Sequence, residues 1–296
     1  MPDTEERQIE YHPEFNFDDA EVILRTDNGP RFKMYSLMLR RASGHFADVL
    51  ALPTTRSPPS PSSTPREPIL LHLPESNETI ELMLRFVAYH PVPSEALASL
   101  PKFTRLVEAG VKYAMNGMLS ILKTLALEST ELRRNPLALY RLASLHGWND
   151  VRRSLLLLCL SRNPSSEYVL NNLKEISVAD YRDLVLLAKR RQDSLESRLN
   201  NPNCEINRRR LCRCSIAGCR GYYDDSTWQF FKLRLFDELR KCPNGNTINQ
   251  VAIESWPETT ALRNAYHVVP TIKQYAWQAE IWPLVHHGIG SLPSSL

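Results

Sequence analysis

The chain has 296 residues, 43% of them hydrophobic, and its 36 Lys and Arg against 33 Asp and Glu leave a net charge of +3. A chain of this length buries a substantial core and divides more comfortably into two domains than one. A charge of +3 falls far short of the basic excess that neutralising a nucleic acid backbone demands, so nucleic acid is not an expected partner.

The start, Met1-Pro-Asp-Thr-Glu-Glu-Arg, is polar and acidic and lacks the basic opening and apolar run of a signal peptide. The longest Leu/Cys stretch, Leu155 to Leu160, is far shorter than the roughly 20 apolar residues that cross a bilayer. The expected protein is therefore intracellular, cytoplasmic or nuclear, with no membrane partner. Six cysteines in such a chain point to free thiols or a metal rather than disulfides.

In chain order, residues 1–14 are charged and weakly patterned and are expected to be a flexible leader, with folding from Phe15. Ala20 to Thr26 is a strand candidate, Asp27-Asn28-Gly29 supplies a turn, and Pro30 to Tyr35 opens a second strand, a hairpin pattern. Two short helices follow, over Ser36 to Arg41 and His45 to Leu52. Residues 53–68 hold six prolines among serines and threonines and read as an exposed, extended insertion.

Ile69 to Leu73 is a third strand. A long amphipathic helix from Glu78 to Tyr89 follows, with Ser76 or Asn77 as its cap. Two more helices lie over Leu100 to Ala109 and Met115 to Leu127.

Beyond Glu128 strand signals largely stop. Asn135-Pro136 begins a helix with proline at its first position, Asn149-Asp150 starts another that runs to Cys159, and Ser177 with Asp180 forms a capping box before Tyr181 to Leu199. Leu155 to Leu158 is expected to be buried, because four consecutive leucines cover every face of a helix. A helix over Thr227 to Lys241 carries the stripe Trp228, Phe231, Leu235 and Leu239. The expected fold class is α+β, with a mixed domain over 15–128, a helical domain over 129–250, and a partly ordered C-terminal extension over 251–296.

The order hairpin, helical pair, strand, long helix, helical pair resembles the BTB/POZ family, and the residues follow it. Asp19-Ala20-Glu21-Val22-Ile23-Leu24 is similar to the family's opening strand, and Phe32 to Leu39 falls at its strand-to-helix element. Ala42-Ser43-Gly44-His45-Phe46 is similar to its Ser-Pro-x-Phe segment. Leu84 to Tyr89 resembles the helix ending in Phe-x-Tyr, and Leu106, Ala109, Lys112, Tyr113, Met115 and Leu119 fall where the following helical pair lies. The insertion and the helical continuation look most like the BTB proteins of basidiomycete fungi.

The resemblance implies a small β-sheet covered by helices, a homodimer, and a protein-interaction role without catalysis. It places the core and dimer region at Val22, Leu24, Tyr35, Leu39 and Phe46. Some members recruit a cullin ubiquitin-ligase scaffold, so a substrate adaptor for a cullin is a second reading. Glu21, Tyr35 and Ser36 stand where many members carry Asp and a His-Lys or His-Arg pair, which removes the charges of a co-repressor pocket.

One constellation has metal character. Cys212-x-Cys214-x4-Cys219, flanked by Cys204 and Cys242, contains enough thiolates for a structural zinc, and Arg208, Arg209, Arg210, Arg213 and Arg220 would favour the thiolate forms. A single residue between Cys212 and Cys214 strains two ligands on one centre, so buried or redox-accessible thiols are the main expectation and no cofactor is assigned.

The same arginines, with Tyr222, Tyr223 and Trp228 nearby, have the composition of a chromatin or nucleic-acid regulator. Asp224 and Asp225 interrupt them, so a solvated basic loop is favoured. Ser120 and Lys123 show the Ser-x-x-Lys spacing of some acyl-transfer enzymes without any companion motif, and His286-His287 is expected in a loose tail.

Overall fold

The computed structural model describes residues 10–52, 67–173, 176–201, 225–265 and 282–295. The chain divides into two units between Arg134 and Asn135. The first unit is mixed α and β, and its sheet grows from the Asp27-Asn28-Gly29 turn. Gly29 sits at φ +128, and a side chain there would collide with the Asn77 amide. That amide is fixed by the Thr26 hydroxyl and the Asn28 carbonyl, so only glycine fits the turn.

Four strands, β1 (Tyr11–Asn16), β2 (Val22–Arg25), β3 (Arg31–Met34) and β4 (Ile69–His72), lie in the order β1-β3-β2-β4. β2 and β3 are antiparallel, with Val22 opposite Met34 and Leu24 opposite Phe32. β1 runs parallel to β3, and β4 parallel to β2. The two-residue period turns Val22, Leu24, Phe32 and Met34 to one face, and none of them has any exposure.

Helices α1 (Ser36–Ala42), α2 (Gly44–Ala51), α3 (Asn77–Val87), α4 (Ser94–Ala98), α5 (Leu100–Lys112), α6 (Asn116–Glu128) and α7 (Thr130–Arg133) complete this unit. Ser76 caps α3 as expected, its hydroxyl accepting from the Thr79 N–H at 3.3 Å. Leu39, Phe46, Ile80, Met83, Phe103 and Val107 supply the helical side of the core.

One sequence expectation is corrected here. The segment read as a leader to residue 14 contains β1, which begins at Tyr11. Its polar residues have distant partners. His12 stacks on Phe32 at 5.1 Å, and the Glu14 carboxylate accepts from Arg85 of α3 at 2.8 Å. Partners 20 and more residues away leave no local pattern, so a strand built on them reads as a solvated segment. Residues 53–66 of the Pro/Ser segment lie outside the described residues.

The second unit is helical: α8 (Pro136–Leu145), α9 (Asn149–Cys159), α10 (Glu167–Asn172), α11 (Val178–Asn200), α12 (Asp225–Lys241), α13 (Gln250–Glu254), α14 (Pro257–Ala265) and α15 (Trp282–Gly290). Pro136 opens α8 as expected. Leu155 and Leu156 are buried, while Leu157 and Leu158 are half-buried.

Trp228, Phe231, Leu235 and Leu239 are buried on α12, in one cluster with Leu195, Leu199, Trp256, Val285, Ile289 and Leu292. Ile253, Trp256, Leu262, Val285, Ile289 and Leu292, all beyond residue 251, are therefore part of this core. His286 and His287 are exposed on α15 and not in a loose tail, because Val285 and Ile289, four apart on the same helix, are buried. No helix among the described residues is long and apolar enough to cross a membrane.

Candidate interaction surface

Of the five positions given by resemblance as core and dimer region, Val22, Leu24 and Leu39 have no exposure and Phe46 has 1%. They hold the first unit together from inside. The positions that most clearly mark strand and helix are those the fold itself buries, so a partner must meet other residues.

Tyr35 is half-buried. Its hydroxyl donates to Asp19 at 2.7 Å, and its ring lies 4.8 Å from that of Phe17. The Asp19 bond holds the Tyr35 hydroxyl pKa above its ordinary value. The next residue's N–H, at Ser36, donates to the Glu21 carboxylate at 2.9 Å. Glu21, Tyr35 and Ser36 thus join Asp19 in a polar knot at the start of α1. There the carboxylate satisfies a helix N–H that otherwise lacks a partner.

A second knot joins α2, α5 and the segment before α3. Ser43 accepts from the Phe46 N–H at 3.0 Å and donates to the Tyr113 carbonyl at 2.5 Å. Phe46 stacks on Tyr113 with ring centres 5.2 Å apart. The Tyr113 hydroxyl donates to Glu75, which also accepts from Lys112 at 2.5 Å. Burial pushes the Tyr113 hydroxyl pKa up, and the Glu75 charge adds to the effect.

For Glu75, burial alone would raise the carboxyl pKa. The bonds from Lys112 and Tyr113 outweigh burial and hold it below the ordinary value. A lowered folded-state pKa gives stability that is present above the unfolded value, about 4.3, and lost as pH falls through the folded value. Replacing Glu75 by Gln should therefore cost about 1 kcal/mol at neutral pH. It should also flatten the loss of stability on acidification, which urea unfolding at a series of pH values would measure. An unchanged acid limb would contradict this.

What remains at the surface of the first unit is a small set of large apolar side chains. Leu37 is 65% exposed on α1, and Leu70 is 47% exposed on β4. Among the described residues β4 is an edge strand, bonded on one side only.

In the second unit, Cys204, Cys212, Cys214 and Cys219 lie outside the described residues, as do Arg208 to Arg220 and Tyr222 to Asp224. Cys242 is buried, and its thiol donates to the Asn244 side chain at 3.0 Å. Cys159 is also buried, which pushes its thiol pKa up. Among the described residues, no group of three or more His, Cys, Asp or Glu is placed to hold a metal ion. Trp228 stacks on Phe231 at 5.7 Å inside the core, where it cannot meet a base. Ser120 is exposed on α6, its carbonyl accepting from Thr124 at 3.2 Å.

Two buried charged residues were not anticipated in their roles. The Asp180 N–H donates to the Ser177 hydroxyl at 3.1 Å, as at a helix cap. Its carboxylate does not close the capping box but pairs with Arg152 of α9 and Ser144 of α8. Arg191 is 3% exposed and donates only to backbone carbonyls, those of Pro243, Asn244, Leu292 and Pro293. Neither cluster is open to a ligand; both fasten helices together.

Comparison with protein-family models and with curated protein sequences finds no match to this chain.

Proposed function

We propose that the chain is a protein-interaction module of the BTB/POZ type, which self-associates through its first unit and offers its helical second unit to another protein. The observation that carries this reading is the order of elements in the first unit. A hairpin is followed by a helical pair, then by a strand parallel to the hairpin's first strand, then by α3 and the pair α5 and α6. The family resemblance of residues 19–119 follows that same order.

Leu37 is the residue assigned to self-association. It is exposed on α1, the first helix, whereas the neighbouring Leu39 is already used by the core. Covering such a side chain in a second copy removes apolar surface from water at roughly 25 cal/mol per Å². A charge at its place opposes that burial.

The test is Leu37→Glu, followed by light scattering after size exclusion at micromolar concentration. Wild type should be a dimer and the variant a monomer with the same far-UV circular dichroism. A variant that stays dimeric would remove α1 from the interface.

A further inference from the structure

The sheet has a second face, opposite the core. The register that pairs Ile23 with Lys33 and with Leu70 turns these three outward together. The last printed pair is Leu24 with Phe32, and Arg25 and Arg31 are the residues that follow these on the two neighbouring strands, next in the outward alternation. Like charges facing across a strand pair destabilise a sheet unless an anion sits between them.

No carboxylate among the described residues pairs with Arg25, Arg31 or Lys33. Lys33 instead lies 4.5 Å over the ring of Tyr11. Asp27, the carboxylate at this end of the hairpin, is engaged by His72 at 2.8 Å. Ile23 lies in the middle of the face, 8% exposed, and Leu70 at its β4 edge, 47% exposed.

We infer that this outer sheet face is a docking surface for an acidic segment of another protein, one that carries an apolar side chain to meet Leu70. Carboxylates on such a segment would sit between Arg25 and Arg31, relieving their repulsion, while its apolar residue covers Leu70. An exposed apolar side chain beside unpaired charge gives such a segment both a hydrophobic and an electrostatic contact. Three basic groups, one of them lying over the Tyr11 ring, are too few for a nucleic acid, whose affinity is built from many phosphate contacts. The face is separate from Leu37 on α1, so the inference stands whether or not the chain self-associates.

The test uses the full chain and a fluorescein-labelled octapeptide of alternating Glu and Leu, followed by anisotropy. Wild type should bind it, and binding should fall about tenfold in Arg25→Glu/Arg31→Glu, and again on raising salt from about 50 to 500 mM. The reversed variant should instead prefer the Lys-Leu octapeptide, a gain that damage to the fold cannot produce. Leu70→Ser should weaken the Glu-Leu peptide several-fold.

Arg25→Gln/Arg31→Gln serves if the reversed variant misfolds by circular dichroism, and it should show the same tenfold loss. Equal binding by wild type and variant would overturn the inference. So would equal binding of a Gln-Leu octapeptide, or binding of a short DNA duplex or phosphatidylserine vesicles in preference to the peptide. In each case light scattering of the variant reports self-association separately.

Discussion

Replacing Arg191 by Met should lower the stability of the second unit by about 3 kcal/mol. The guanidinium sits on α11 and reaches two separate segments. Its Nε donates to the Pro243 carbonyl at 2.6 Å and Nη2 to Asn244 at 3.2 Å, while Nη1 donates to Leu292 at 3.2 Å and Pro293 at 2.6 Å.

Burial disfavours the charge and holds the Arg191 pKa below its ordinary value, with no carboxylate among the described residues paired with it. The carbonyls must therefore satisfy the guanidinium nearly alone. Met fills much of the same volume but leaves four acceptors facing it. Each bond to a charged donor contributes roughly 1.5–3 kcal/mol, and the relief of no longer burying an unpaired cation cancels part of the sum.

In a unit of this size the melting temperature should fall by roughly 6–12 °C. Arg198, one more bonded pair along α11, still holds Ser291, so the C-terminal residues loosen without leaving. Thermal unfolding followed by circular dichroism measures the fall. A melting temperature within about 2 °C of wild type would contradict it.

Asp180→Asn should cost the same unit about 3 kcal/mol. The residue is 3% exposed, and its carboxylate faces Arg152 and Ser144, while its own carbonyl accepts from the Tyr140 hydroxyl at 3.0 Å. One buried side chain thus ties α8, α9 and α11. The amide keeps the shape but removes the charge, leaving the half-buried Arg152 without its counter-ion. Breaking one side of a buried pair costs more than the pair contributes as a whole.

The double variant Arg152→Leu/Asp180→Leu should for that reason recover part of the loss seen in Asp180→Leu alone. Urea unfolding of the two single variants and the double gives the coupling energy. Strictly additive losses would mean that Arg152 and Asp180 do not act as a pair.

These two residues also show where sequence reading reaches its limit. The stripe Trp228, Phe231, Leu235 and Leu239 was legible because its spacing depends only on the helix that carries it. The hairpin was legible for the same reason, since Asn28-Gly29 fixes a turn without outside help.

Asp180 was noticed at the right cap, but its carboxylate turns to Arg152 and Ser144, and no local spacing encodes that choice. Arg191 left a faint signal. It falls on the apolar stripe of α11, between Leu187 and Leu195, where a charged residue has to find buried partners.

β1 was missed because His12 and Glu14 are completed by Phe32 and Arg85. α15 was missed because its apolar positions matter only once the core of α11 and α12 exists. Val22, Leu24, Leu39 and Phe46, given by resemblance as core and dimer region, lie in the core. The exposed Leu37, Arg25 and Arg31 carry no spacing signature that separates a docking face from a solvated one.

The most direct test of the proposed function is the mass of the full chain in solution, by light scattering after size exclusion over a range of concentrations. Self-association predicts twice the chain mass, falling toward the single mass only on dilution. A single mass held to the highest concentration would contradict it.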